Sequence, residues 1–320
     1  MKGEPCTKGE LSLQDEPAPN AEALPGCLRL ERKLRFDPAE HDLYGAAVEL
    51  LQRAGDKLGS FPESSGSSRL EDYRPAVDVF RSFKARQALY QVVSHDANFL
   101  NTYERLVTTV VLPIMKQLLV AHDASTSIQE GICATCATPG AVPSTAISAA
   151  TATMIAATTT TATAAPAATA APAATASVTT TATPAASSAP LPIRFFYQYP
   201  PSMRLQPGPS EHFGRMHRDA EYGHQQGEIN FWLPLTSHAL TRSCLWVESS
   251  PGAGDFHPLD VPYGCIAAFH GTVCRHHVPP NPSVYTRASI DFRVGVDRFF
   301  DASWQLRAAK AQHGRRECTL

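Results

Sequence analysis

The stretch "MHRDAEYGHQQGEINFWLPLT", Met216–Thr236, sets a cluster of ionisable residues directly ahead of a strand. Glu228–Thr236 (EINFWLPLT) is rich in aromatic and branched side chains, the composition of a pleated, half-buried surface. Within it Asn230 and Trp232 stand two apart, so they share one face and could line a pocket. Ahead of the strand, His217-Arg218-Asp219 is an H-x-D. Residues i and i+2 on a strand end project the same way, so one imidazole and one carboxylate would aim at a common point. Alone the pattern is weak, since H-x-D recurs by chance, and the competing reading is a solvated turn.

Working outward, the same texture continues on both sides. Arg194–Tyr199, Met203–Gln206, Ser243–Ser249, Gly264–His270 and Val284–Val294 are short, aromatic and branched, with Pro, Gly and Ser clusters between them. Several short strands at such spacing predict an antiparallel double-sheet jelly roll.

Two histidines and one carboxylate on one face of an octahedron make a non-haem iron site with open positions. The third ligand should come from a later strand. Cys274-Arg275-His276-His277 lies 57 residues beyond Asp219. In extended chain His276 and His277 point to opposite sides, so at most one of them serves. The last strand alternates: Ala288, Ile290, Phe292 and Val294 on one face, Tyr285, Arg287, Ser289, Asp291 and Arg293 on the other. A guanidinium buried near the site would be costly without an anion. It is also the preferred fork for a carboxylate, and Ser289 can donate from the same side as Arg287, so Arg287-Ala288-Ser289 reads as a carboxylate clamp.

H-x-D, a histidine 57 residues on and an arginine eleven residues after His276 together resemble the iron(II)/2-oxoglutarate-dependent dioxygenases. The nearest subgroups are the phytanoyl-CoA-hydroxylase-like and streptomycin-biosynthesis-type hydroxylases. "RFFYQYPPSMRLQPG", "SCLWVESSPGAGDFHPL" and "RHHVPPNPSVYTRASIDFRV" are similar to that family's consecutive blocks. The similarity covers 193–294 well and the helices of 34–120 loosely. It implies a double-stranded β-helix core and an enzyme that hydroxylates a small metabolite, releasing succinate and carbon dioxide. It implies that His217, Asp219 and His276 hold iron(II), with His276 preferred over His277 because Asn281 follows it by five residues. It implies that Arg287 binds the distal carboxylate of 2-oxoglutarate, with Ser289 and Asn230 as lesser cosubstrate contacts. Dioxygen is the second cosubstrate and ascorbate an optional addition. Asp219 stands where the family's halogenases leave no carboxylate, which argues against halogenation. Two rivals differ in kind: a cupin-like metal enzyme that does not use 2-oxoglutarate, and an inactive jelly-roll binding module.

The N-terminal half reads as helices. Asp37-Pro38-Ala39-Glu40 resembles a capped helix start, followed by Leu43, Ala46, Ala47, Leu50 and Leu51 in helical phase. A second helix is expected from Val77 to Val93, with Phe80 in its stripe, and a third from Asn98 to Leu119, interrupted by Pro113. No charge occurs between Glu130 and Arg194, in a tract of Ala, Thr, Pro and Ser that cannot bury enough apolar surface to offset chain ordering. The expected plan is α+β: a flexible arm (1–27), a helical part of the catalytic unit (28–122), a disordered low-complexity insert (123–192), the jelly-roll core (193–310) and a flexible tail (311–320).

Bulk properties exclude more than they assign. Lys plus Arg total 28 and Asp plus Glu 30 in 320 residues, a net charge of −2, which gives no reason to expect nucleic acid or an anionic membrane as partner. The eight cysteines are irregularly spaced, so a disulfide scaffold is not expected. Cys133-Ala134-Thr135-Cys136 has no second pair at zinc-finger spacing. The N-terminus lacks an apolar signal core, and no apolar run looks long enough to span a bilayer. The expectation is a cytoplasmic protein with a small-molecule substrate; the sequence leaves its oligomeric state open. His212, His224, His257 and His270 read as surface or loop histidines and Glu248 as a loop contact. Tyr197, Gln198 and Arg204 are either substrate or 2-oxoglutarate contacts, or sheet packing and a salt bridge.

Overall fold

The computed structural model describes residues 23–63, 68–76, 82–135, 192–303 and 314–320. By its internal contacts the chain divides into one unit of Met1–Ser127 with Leu191–Leu320 and another of Ile128–Pro190. The fold described is that of the first unit.

Its N-terminal part runs α1 (Gly26–Arg29), β1 (Arg32–Arg35), α2 (Leu43–Ala54), β2 (Gly59–Ser60), β3 (Arg74–Pro75), α3 (Phe83–His95), α4 (Ala97–Leu106) and α5 (Leu112–Thr135). Helix α2 starts later than its sequence suggested. Asp37 accepts from the Ala39 amide and closes a local turn, and the cap is Asp42, which accepts from Gly45. Ser82 caps α3 and Asp96 caps α4. Val77 and Phe80 lie outside the described residues. Pro113 does not stop the last helix. A π-helical segment, Val107–Val111, joins α4 to α5 just before it, where the missing proline N–H would otherwise break the ladder. The joined helix Ala97–Thr126 is long and apolar enough to cross a membrane by length and composition, contrary to the sequence reading. Much of that apolarity is in the core: Phe99, Tyr103, Leu106, Val107, Val111 and Leu112 are fully buried. Helix α5 also extends into the expected insert; 136–191, with Cys136, lie outside the described residues.

The rest is β-rich: β4 (Arg194–Gln198), β5 (Ser202–Gln206), β6 (Gly214–His217), β7 (Glu228–Pro234), then α6 (His238–Thr241), β8 (Trp246–Val247), β9 (His257–Pro258), β10 (Cys265–Phe269), β11 (His276–Val278), β12 (Arg287–Val296) and β13 (Arg315–Thr319). A seven-stranded sheet has the order β1-β10-β7-β12-β4-β13, with β5 also on β12; a four-stranded sheet has the order β6-β11-β8-β9. Their pairings are antiparallel throughout. Two expectations change here. The presumed tail contributes β13, an edge strand on β4, and the presumed helical part contributes β1, which pairs with β10.

The alternation of side chains sets two cores. From the large sheet, Phe231, Leu233, Ile266, Ala268, Ile290, Phe292 and Val294 face the helices. Phe231 and Phe292 are register partners and stack at 5.2 Å, and Tyr103 of α4 meets Phe292 edge-on at 5.2 Å. On the opposite face Trp232, Ala267 and Phe269 pack with Val247 and Val278 of the small sheet. A one-residue slip of β12 would exchange Ile290 and Phe292 for Ser289, Asp291 and Arg293, so burial on both faces fixes the register. The polar side chains of β7 and β12 are therefore confined to the space between the sheets.

Candidate functional site

Strand β6 ends at His217 and β11 begins at His276, and the two residues are Cα partners across the antiparallel pair. Asp219 follows in the first turn after β6, anchored by its amide to the Gly271 carbonyl at 3.0 Å. His217 Nε2 and His276 Nε2 each lie 3.5 Å from Asp219 Oδ1. One donor atom from each of the three residues falls within 4.8 Å of the others, which is close enough to share one cation.

The surroundings fix which atoms face inward. His217 Nδ1 bonds the Arg215 carbonyl at 2.6 Å and His276 Nδ1 bonds the Cys274 carbonyl at 3.1 Å. Each ring nitrogen so engaged is the donor, which leaves Nε2 as the basic atom. Asp219 is fully buried. Its Oδ2 accepts from Asn230 Nδ2 and from Arg293 Nε, both at 2.6 Å, while its Oδ1 has no hydrogen-bond partner among the described residues. Burial alone would raise the Asp219 pKa. Arg293 beside it, with the two histidines, reverses this and holds the carboxyl well below its ordinary value. His217 is raised despite burial, because Asp219 favours its charged form. A buried anionic oxygen without a donor between two imidazole nitrogens is the donor set of a divalent transition metal, so these residues fit iron(II).

His276 and His277 do point apart. His277 packs edge-on against Phe256 at 5.2 Å and lies 6.2 Å from Trp246, with its pKa lowered by burial and then by His276. Asn281 is a fully buried loop staple, donating to the Gln206 and Tyr285 carbonyls.

The same face of β12 carries three arginine contacts of unequal kind. Arg293 is paired with Asp219, and Arg204 reaches across from β5 to Asp291 through two hydrogen bonds of 2.8 and 3.1 Å. Among the described residues Arg287 has no carboxylate partner. Its Nη2 donates to Ser289 Oγ at 3.1 Å, its Nε and Nη1 are buried with no partner among the described residues, and its Cζ lies 5.9 Å from the centre of the Trp232 ring. Trp232 Nε1 is likewise buried without a partner. Burial pushes the Arg287 pKa down to about 10, so the group is still charged at neutral pH.

No family model matches the chain. A curated relative, the streptomycin biosynthesis protein StrG of Streptomyces griseus, is 33% identical over 99 residues, which is 31% of this chain and 46% of that protein. Among solved structures this chain is similar to the non-haem monooxygenase ThoJ in its nickel complex, at 18% identity over 33% of this chain and 48% of that one, with a TM-score of 0.28. For the α-ketoglutarate-dependent epimerase SnoN from nogalamycin biosynthesis the figures are 17%, 32%, 47% and 0.27. For EvdO2 of Micromonospora carbonacea var. aurantiaca, solved with 2-oxoglutarate, they are 14%, 33%, 52% and 0.26. The chain spans about half the length of the proteins it matches.

The remaining candidates divide. Asn230 touches Asp219. Gln198 lies behind the site, its Oε1 accepting from Arg293 Nη1 at 3.1 Å. Tyr197 faces the helices, where its hydroxyl donates to Glu104, and Arg204 forms the salt bridge with Asp291; for these two the packing reading holds. His270 lies in a loop but is buried against the Gln226 carbonyl, and His224, also in a loop, pairs with Glu228 at 2.7 Å. His257 meets Glu31. Glu248 is more than a loop contact. It is buried and accepts from the backbone amide, Nε and Nη2 of Arg275, the residue before His276. Arg293 and Glu248 are the contributors that spacing rules passed over; Arg293 did stand on the correct face of the last strand.

Proposed function

We propose that the protein is a non-haem iron(II)/2-oxoglutarate-dependent dioxygenase with a jelly-roll core that hydroxylates a small metabolite. His217 Nε2, Asp219 Oδ1 and His276 Nε2 hold the iron, and Arg287 with Ser289 binds the far carboxylate of 2-oxoglutarate. The observation that carries this reading is Asp219 Oδ1, a buried carboxylate oxygen that no donor satisfies, 3.5 Å from each of two imidazole nitrogens. A retired site has no reason to keep a charged atom in that state. The buried, unpaired guanidinium of Arg287 favours an organic dicarboxylate over a metal enzyme that works without one.

Bound together, iron(II) and 2-oxoglutarate supply an oxidant able to attack an unreactive C–H bond, with dioxygen consumed and succinate and carbon dioxide released. The chain's own residues do the rest. The two histidines keep their Nε2 lone pairs inward through backbone carbonyls, and Arg287 fixes the orientation of the diacid. Trp232, Phe269 and Val247 pack around the inner end and exclude water. The streptomycin-pathway relative supports a small-molecule substrate.

The test is anaerobic. Iron(II) followed by 2-oxoglutarate should give a visible charge-transfer band, and admission of air should form succinate only when both are present. Absence of the band in the wild-type protein overturns the assignment.

A further inference from the structure

We propose that Arg293 and Asn230 are positioning residues that hold Asp219 as a one-oxygen donor, keeping Oδ2 away from the coordination place that 2-oxoglutarate needs. The proposal rests on the reading of this site as a metal centre and gives Arg293 and Asn230 a role exerted through Asp219.

A carboxylate beside a dication can offer one oxygen or both. With three open positions required for cosubstrate and dioxygen, a second oxygen from Asp219 would occupy one of them. Two charge-aimed donors at 2.6 Å saturate Oδ2 here, while Oδ1 receives none. Neither donor is free to drift. Arg293 is 9% exposed and its fork is spanned: Nε on Asp219, Nη1 on Gln198, whose own amide donates to Ser202 Oγ at 3.0 Å. Asn230 is buried on the central strand β7, one pair across from Arg293, since the two are register partners. Its amide lies where a side chain at Gly271 would go: a Cβ there would meet Asn230 Cγ at 2.7 Å and Nδ2 at 2.8 Å. The same Gly271 carbonyl holds the Asp219 backbone. Arg293 thus has its anion and Arg287 does not, which separates two buried arginines of one strand into different tasks.

The experiment uses the full chain loaded with cobalt(II), with 2-oxoglutarate titrated anaerobically and followed by the visible spectrum. Outer partners of metal ligands typically contribute about 10- to 100-fold to metal affinity or activity, and a role confined to freeing a coordination place would put an effect of that order on 2-oxoglutarate instead. Asn230→Ala and Arg293→Met should weaken 2-oxoglutarate by that order at saturating cobalt(II), while cobalt(II) affinity changes much less. Arg293→Lys, which keeps the charge and can still donate to Oδ2, should recover part of the loss. Wild-type 2-oxoglutarate affinity in both Asn230→Ala and Arg293→Lys, even with a lowered melting temperature, overturns the positioning role while the metal reading stands. Should Arg293→Met fail to fold, those two variants decide the question. If the wild-type cobalt(II) protein itself binds no 2-oxoglutarate, the reading of the site falls first and this inference with it.

Discussion

His217 and His276 stand opposite each other in the β6–β11 ladder with their rings 4.4 Å apart, and each bonds the carbonyl two residues before it. The same local device therefore orients both imidazoles towards one oxygen of Asp219. Alanine at His217, Asp219 or His276 should abolish metal-dependent stabilisation. For the wild type, a metal at a hundred times its dissociation constant should contribute about 2.7 kcal/mol, read as a rise in melting temperature that a chelator reverses. His277→Ala should keep that rise, since His277 packs against Phe256 on the other side of the strand. A rise retained in Asp219→Ala would remove the site assignment.

Arg287 should show opposite effects on stability and binding. It is a buried cation without a counter-ion among the described residues, so Arg287→Met should leave the ligand-free protein as stable as before or more so. If Arg287 clamps the diacid as proposed, the same change would remove two charge-assisted hydrogen bonds, worth about 3 kcal/mol or more together, and should weaken 2-oxoglutarate about 100-fold. Calorimetric titration of the metal-loaded protein checks this. Equal weakening of 2-oxoglutarate and of metal would show that Arg287 is not the clamp.

Much of the candidate site was legible because its spacing is local. His217 and Asp219 announce themselves two residues apart, and the alternation of β12 places Arg287 and Ser289 on the polar face. What alternation cannot say is which arginine has an anion. That depends on Asp219, 74 residues from Arg293, and on Asp291, 87 residues from Arg204. Asn230 was placed on the right face, but its hydrogen bond to Asp219 was not legible for the same reason. Two of the missed strands are polar edges. Arg32–Arg35 and Arg315–Thr319 carry mostly exposed or half-exposed charges, so hydrophobic periodicity is silent while the backbone ladder is made. Ser243–Ser249 erred the other way: its apolar residues fill the inter-sheet core, yet only Trp246–Val247 are strand.

Glu248 should make stability pH-dependent on the acid side. Burial would raise its carboxyl, but the side-chain and backbone donors of Arg275 push it down to about 2, from an ordinary 4.5. A depressed carboxyl stabilises the fold fully above the unfolded value and loses that contribution as pH falls towards the folded one. Glu248→Gln should therefore destabilise at neutral pH by about 2 kcal/mol, given that Arg275 can partly rehydrate. The difference from wild type should shrink between pH 4.5 and 2 in denaturant titrations. A difference that stays constant over that range would mean that the Glu248–Arg275 pair does not brace the start of β11.

Gly271→Ala offers a test at a position that touches no proposed ligand side chain. The new methyl would press on the Asn230 amide from 2.7 Å, and the amide of a short buried side chain has little room to yield. If Asn230 is pushed from Asp219 Oδ2, 2-oxoglutarate binding to the cobalt(II) protein should weaken by about the same 10-fold or more as in Asn230→Ala. The effect should also be non-additive. In the Asn230→Ala background the space is already vacated, so adding Gly271→Ala should cost little further affinity, a coupling that a double-mutant cycle measures directly. Additive losses would instead locate the damage in the Gly271 backbone, whose carbonyl holds the Asp219 amide, and would leave Asn230 without a part in it.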